Sequence, residues 1–545
     1  MGDGMVERKF TNEYTFTKFL ENGKEPEFDM SFDFAAENAR RTFGSKYPMY
    51  IGGKEVYSDE LLTERSPIDG GIVIGHFQKG NREHARQAIK AAQRAFEQWS
   101  ETDYRDRVAI LRSAADLFVK NKFILGAILS FENGKSRYES IGEVDEAIDF
   151  IRYYSDDMES NRGYIRKASI ISSSTGVKAG FQGAPSGKES ITISMKPYGV
   201  FSVIAPFNFP VSISTGMSVG AIITGNTVVF KPSSSDNMTM LTGLKIYQLL
   251  SEAGLPNGVF NYVTGPGSEV GDELASNREV SGVVFTGSRS TGMGMISKSY
   301  SLGMQKAFIV EMGGKNPAIV SKHADIDAAV SGVASAAFGF AGQKCSACSR
   351  IYVHESIKEI FVSKLIEKVR GFRIGDPIKK ENYIGPLISE SAFARYNESI
   401  EKARASGRIL YGGNVVDTGL RGYYVEPAIV ELRHDHELVH KELFVPILTI
   451  ESFKDFGQAI SLANDVEYGL TAGLYSRSRK EIREFTKGIL AGVVYINRAV
   501  SATTGAIVGK HTFVGWKYSG LTGKGSGSRF YLPQFMREQS VSLTK

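Results

Sequence analysis

Val200-Phe201-Ser202-Val203-Ile204-Ala205-Pro206-Phe207-Asn208-Phe209-Pro210 joins a short apolar run to a turn fixed by two prolines. An apolar run of about six residues bounded by turn signals reads as a strand buried on both faces. The arrangement recurs. Residues 226–230 lead into Lys231-Pro232-Ser233-Ser234, residues 280–285 into Thr286-Gly287-Ser288, and residues 307–310 into Glu311-Met312-Gly313-Gly314. Strand–loop–helix units in series predict an open, mostly parallel α/β sheet. Ligands bind such sheets at the carboxyl ends of the strands, where each of these loops falls.

Outward from that core, apolar residues recur at helical spacing over residues 83–99, 108–117 and 142–154. Residues 1–45 are polar with scattered aromatics and read as an arm draped over the surface, with a short helix at 32–41. Residues 172–190 are rich in Ser and Gly, a loop or arm, and residues 189–196 alternate apolar and polar side chains as a half-exposed strand does. Downstream, helices are predicted at 357–369, 392–405 and 456–463, strands at 446–451 and 492–496, and a final strand-like tail within 520–545.

At 545 residues the chain exceeds one hydrophobic core, so two or three domains are expected. Its 65 basic and 60 acidic residues leave a net charge of +5 without a Lys/Arg block, which argues against a nucleic-acid partner. No apolar run approaches the ~20 residues of a membrane span. Two cysteines in the whole chain exclude a disulfide scaffold and fit a reducing cytoplasm.

Those cysteines stand together in Gly342-Gln343-Lys344-Cys345-Ser346-Ala347-Cys348-Ser349-Arg350. They read as a redox pair, half of a metal site, or one nucleophile with a bystander. A metal site lacks further soft ligands, because no other cysteine exists and the eight histidines show no ligand spacing. If Cys345 is a nucleophile, Lys344 and turn amides are expected to lower its pKa. Asn208, at a strand end, is placed to donate to a developing oxyanion, though alone it reads more readily as a loop asparagine closing an Asx-turn. Glu311, also at a strand end, is placed to activate water; alone it reads as a solvated loop carboxylate. Gly287-Ser288 opens a helix whose backbone amides suit a phosphate. Lys231, one loop away, is placed to meet a ribose or its phosphate. Their order along the chain suggests an acyl-transfer site beside a nucleotide site.

With these motifs in order, the chain resembles the NAD(P)-dependent aldehyde dehydrogenase family from about residue 50 to 525. The resemblance rests on 206–210, Lys231-Pro232, Phe285-Thr286-Gly287-Ser288, Glu311-Met312-Gly313-Gly314-Lys315-Asn316-Pro317, Gly342-Gln343-Lys344-Cys345 and Glu442-Leu443-Phe444. The cysteine loop through Arg350, together with Thr504-Gly505-Ala506-Ile507-Val508-Gly509, is similar to the Δ1-pyrroline-5-carboxylate dehydrogenase branch. The resemblance implies a Rossmann-type cofactor domain (46–185 and 200–306), a catalytic α/β domain (307–497), and a β-arm for oligomerisation with the C-terminal segment (186–199 and 498–545), after the N-terminal arm (1–45).

It also implies roles. Cys345 is the nucleophile, Asn208 holds the oxyanion and Glu311 activates water. Lys231, Ser234, Gly287, Ser288, Glu442 and Phe444 meet the cofactor. Ser346, Gly505 and Ala506 bind the amino-acid end of the substrate, Phe209 and Phe513 line its tunnel, and Glu146 with Lys344 support the site. Cys348 has no catalytic role and no metal is implied. The implied reaction is NAD(P)-dependent oxidation of L-glutamate γ-semialdehyde to L-glutamate by a cytoplasmic homo-oligomer. The alternatives are another semialdehyde substrate or a non-catalytic binding relative. Ser234 stands where NAD-preferring relatives carry an acid, so NADP is expected to be accepted; Val445 and Val514 stand where many relatives have glycine.

Overall fold

The computed structural model describes residues 15–171, 188–236 and 238–544. Residues 1–14 and most of the Ser/Gly-rich 172–190 segment fall outside them. The apolar runs become the parallel strands Ala307–Glu311, Gly282–Thr286, Val200–Ile204, Thr227–Lys231 and Phe260–Tyr262, side by side in that order, with the antiparallel strands Met49–Ile51 and Lys54–Val56 at one edge. Strand order reverses between Val200–Ile204 and Gly282–Thr286, leaving a crevice at their carboxyl ends.

Alternate side chains of each strand enter different cores, as the two-residue period requires. Phe201 and Val203 pack against the upstream helices, whereas Val200 and Ile204 pack against helix Arg82–Trp99. A second sheet orders Arg408–Tyr411, Ala428–Glu431, Ile447–Phe453, Cys348–His354, Asn316–Val320, Thr471–Tyr475 and Val493–Ile496; all its pairings but the first are parallel. It too is covered on both faces: Ile351 and Val353 enter one core, and Ile319 and Tyr352 enter another.

Three expectations differ from what is found. Ala307–Glu311, assigned by sequence to the second domain, completes the first sheet by pairing with Gly282–Thr286. Ile165–Ile171, assigned to the cofactor domain, is the third strand of the arm, beside Lys188–Pro197 and Met536–Thr544. Within 498–545, the C-terminal strand Met536–Thr544 pairs with Lys188–Pro197 as expected, and upstream of it Trp516–Lys517 pairs with Tyr468–Gly469. The described part of the N-terminal segment is not a drape: helices Phe16–Glu21 and Glu25–Arg40 bury Phe19, Phe28 and Phe32 in the main core. Asp29 and Asp33 there accept from Arg137 at 2.8 Å each.

Helix Arg137–Ser160 carries Glu139, Glu143 and Glu146 along one face, the spacing that aligns side chains on a helix. Helix Met240–Glu252, which follows the Lys231 loop, has no side-chain cap of its own. Buried Glu132 and Glu64 accept its first amides instead: Leu241 N–H donates to Glu132 at 2.7 Å and Met240 N–H to Glu64 at 3.2 Å. Burial raises both carboxyls, and their proximity raises Glu64 further. Among the described residues no helix is long and apolar enough to cross a membrane.

Candidate active site

A cavity of about 1050 Å³ opens at the crevice and runs between the sheets. Asn208, Phe209, Gly287, Ser288, Glu311, Lys344, Cys345, Ser346, Glu442, Phe444, Glu146, Gly505, Ala506 and Phe513 all line it. These residues, up to 367 positions apart in sequence (Glu146 and Phe513), thus share one wall.

Two predicted residues stand behind that wall. Lys231 is 5% exposed, and its ammonium donates to Ser234 Oγ at 2.9 Å. Ser234 donates in turn to the Gly265 carbonyl at 2.6 Å, while its neighbours Ser233 and Ser235 face the cavity. Burial lowers the Lys231 amine to about 8.

The cysteine loop is set by a tight turn. Phe340 and Ala341 adopt left-handed backbone (φ +52° and +51°), a conformation that costs non-glycine residues about 1–3 kcal/mol each and needs outside support. Glu139 supplies support by accepting from Phe340 N–H at 3.1 Å and pairing with Lys344 at 2.5 Å. Asn316 donates to the carbonyls of Cys345 (2.8 Å) and Ala347 (2.9 Å), fixing the loop on the far side. Cys348 begins the next strand and is buried in the second core. The two thiols therefore occupy different environments.

The thiol is not acidified as the sequence suggested. Burial, reinforced by Glu442 and Glu311, pushes Cys345 up to about 12, against which the Ser346 amide acts alone. Lys344 spends its charge on Glu139 instead. Glu311 ends its strand with Oε2 shut off from solvent and without a hydrogen-bond partner. Burial raises its carboxyl well above the usual range, opposed only by the Gly515 amide. A thiol and a carboxyl, both pushed up by burial, share the pocket: a thiol to attack a carbonyl carbon and a carboxyl to take a proton once ionised.

Glu442 is raised by burial to about 7, and accepts from Gly314 N–H at 2.8 Å. Gly313 lies beneath it at φ +86°, and a Cβ there would fall 2.4 Å from Glu442 Oε2. The left-handed strain of this loop falls on Phe444 (φ +58°), whose ring meets Phe207 edge-on at 5.8 Å. Val445 and Val514 are absent from the positive-φ set among the described residues, so neither valine is forced into a glycine conformation.

For a dinucleotide, the crevice offers the N-terminus of helix Arg289–Ser301, capped by Ser288, and Gly267 with no atom within 4 Å of its would-be Cβ. Amides at a helix start suit a pyrophosphate, and Glu442 with Ser233 and Ser235 of the loop after Lys231 suits ribose hydroxyls, so the residues present fit such a cofactor. Across the cavity, Gly505 turns at φ +79°, and Arg498 donates to the Thr504 and Gly505 carbonyls at 2.8 Å each. Thr504, Gly505 and Ala506 of that loop line the cavity. Sequence reasoning missed Lys135, Glu139, Glu143 and Tyr531 in the wall, and Arg498 behind it; each is an isolated residue outside any motif, so no local signal marked it.

Comparison with known proteins agrees with this architecture. The aldehyde dehydrogenase family pattern matches residues 56–541. The 1-pyrroline-5-carboxylate dehydrogenase 2 of Bacillus subtilis is 36% identical over 517 residues, spanning 94% of this chain and 96% of its own length. The 1-pyrroline-5-carboxylate dehydrogenase of Bacillus licheniformis is 34% identical over 538 residues, spanning 98% and 99%. A crystal structure of the Thermus 1-pyrroline-5-carboxylate dehydrogenase with bound NAD superposes with a TM-score of 0.89 at 32% identity, covering 99% of this chain and 100% of that one. The α/β fold and the enzyme class expected from the motifs hold: this chain belongs to the aldehyde dehydrogenase family of oxidoreductases.

Proposed function

We propose that this protein oxidises L-glutamate γ-semialdehyde, the open form of Δ1-pyrroline-5-carboxylate, to L-glutamate with NAD(P) as oxidant, a step of proline breakdown. The observation that carries the reading is the shared cavity of Cys345, Asn208 and Glu311, whose Oε2 has no hydrogen-bond partner, facing the Gly505–Ala506 loop. Length-spanning identity to 1-pyrroline-5-carboxylate dehydrogenases supports the substrate.

In this reading Cys345 Sγ, once deprotonated, attacks the aldehyde carbon to form a thiohemiacetal. The Asn208 side-chain amide and the Cys345 backbone N–H hold the oxyanion. A dinucleotide held by Glu442, Phe444, Gly287 and Ser288 would supply the acceptor for the hydride that leaves this carbon. The remaining thioester on Cys345 is attacked by a water whose proton passes to ionised Glu311. The C–S bond breaks, glutamate leaves and the thiolate returns. Ser346 and the Gly505 and Ala506 amides hold the α-carboxylate and amine, and Phe209 and Phe513 flank the chain between. Glu442, Phe444, Gly287 and Ser288 hold the dinucleotide, with Lys231 reaching it by releasing Ser234. The neutral Ser234 leaves a 2′-phosphate unrepelled, so both dinucleotides are accepted.

Initial rates with NAD and NADP against a panel of aldehydes test this. Glutamate γ-semialdehyde should exceed succinic semialdehyde in kcat/KM by about tenfold or more, because amides left unpaired by the wrong substrate are costly. Faster turnover of succinic semialdehyde would assign the site to another semialdehyde. Gly313→Ala should raise the KM for dinucleotide about tenfold and lower stability by ~1–2 kcal/mol, since its Cβ displaces Glu442 and positive φ is lost. Dinucleotide titration and thermal melts measure both. Unchanged affinity would remove Glu442 from the cofactor site.

We further propose a cytoplasmic homo-oligomer. The three-stranded arm exposes Ile165, Ile193, Val541 and Leu543, apolar side chains suited to cover by a second copy, and the scarcity of cysteine suits a reducing compartment.

A further inference from the structure

Lys135 follows the C-terminus of helix Lys122–Asn133 and precedes helix Arg137–Ser160. It is 1% exposed, belongs to no motif, and forms a buried ion pair with Glu143. Its ammonium lies 3.5 Å from the ring centroid of Phe209 and 4.8 Å from that of Phe340. Phe209 adjoins Asn208, and Phe340 belongs to the left-handed turn that leads to Cys345. One cation therefore touches both loops. A desolvated ammonium is held strongly by aromatic faces, and here it has two.

The grip extends along the Asn208 loop. Glu143 accepts from Val211 N–H at 2.7 Å and Ser212 N–H at 3.2 Å, just past Pro210. Asn133, two residues before Lys135, donates to the Phe207 carbonyl at 3.4 Å. The loop is thus held before, at and after Asn208 by a single short segment and its ion-pair partner.

We propose that Lys135 is a positioning residue which, with Glu143, clamps the Phe209 loop to the Phe340 turn and so fixes the spacing between the Asn208 amide and the Cys345 thiol. Lys135 borders the cavity and acts through these two loops, taking no part in the bonds made and broken. The proposal rests on the roles of Asn208 and Cys345 given above. Displacing a reacting group by about 1 Å costs roughly 100-fold in rate, and only a clamp shared by both loops couples Lys135 to Asn208.

The test is a double-mutant cycle of Lys135→Met and Asn208→Ala, with kcat for aldehyde oxidation expressed per Cys345 thiol titrated by alkylation. Each single variant should lose about 100-fold in kcat with KM within about threefold, and the double variant should resemble the worse single one. A simple folding defect would instead multiply with the Asn208 loss. Lys135→Met within about threefold of wild type, or multiplicative losses, would overturn the clamp. If Lys135→Met does not fold, Phe340→Leu decides: about tenfold loss in kcat, not multiplying with Asn208→Ala, supports the clamp, and unchanged or multiplying kcat overturns it. An Asn208→Ala enzyme as active as wild type would overturn the reading of the site, and the clamp with it.

Discussion

Cys345→Ala is expected to reduce aldehyde oxidation by roughly 10⁴-fold or more, because removing a covalent nucleophile leaves only binding and electrostatics. Dinucleotide affinity should stay within about threefold, since the helix start at Ser288 and the Glu442 loop are untouched. Cys348→Ala is the control. Its side chain is buried in the second core, so the variant should lose ~1 kcal/mol of stability or less and turn over nearly normally. Steady-state rates and a thermal melt on both variants separate the thiols. A Cys345→Ala protein that retains activity would return the chain to the non-catalytic alternative.

Glu311→Gln should slow turnover about 10²–10³-fold, the usual contribution of a general base. The loss falls on thioester hydrolysis, so a burst of reduced dinucleotide should precede a slow steady state. The pH dependence has a definite sign. Burial favours the neutral acid, and the active form is the carboxylate, so wild-type deacylation should rise as pH increases through the raised Glu311 value. The glutamine variant should lose that rise. A variant showing no burst and an unchanged pH profile would mean that another group activates the water.

Much of this site was legible because its residues sit at strand ends, where apolar runs announce the strand and the next residue is thereby placed. Asn208, Gly287 and Glu311 were located in that way, and the cavity gathers them. What sequence could not supply was pairing. Ala307–Glu311 reads as well in either domain until its hydrogen bonds to Gly282–Thr286 are seen. The same holds for Ile165–Ile171 in the arm. Nor could adjacency in sequence predict charge: Lys344 precedes Cys345 yet pairs with Glu139, 205 positions away. Ser234 was placed against a ligand, whereas its hydroxyl is taken by Gly265. The two valines marked as departures matter less than they read, because the strained backbone belongs to Phe444. Lys135 left no local trace at all, since its meaning lies in two rings from separate loops.

The most direct measurement is tandem mass spectrometry of the Glu311→Gln enzyme quenched during turnover of glutamate γ-semialdehyde with NAD. The acyl group should be found on Cys345, in amount matching the burst of reduced dinucleotide, with Cys348 unmodified. Acyl on Cys348, or a full burst with both thiols free, would contradict the account.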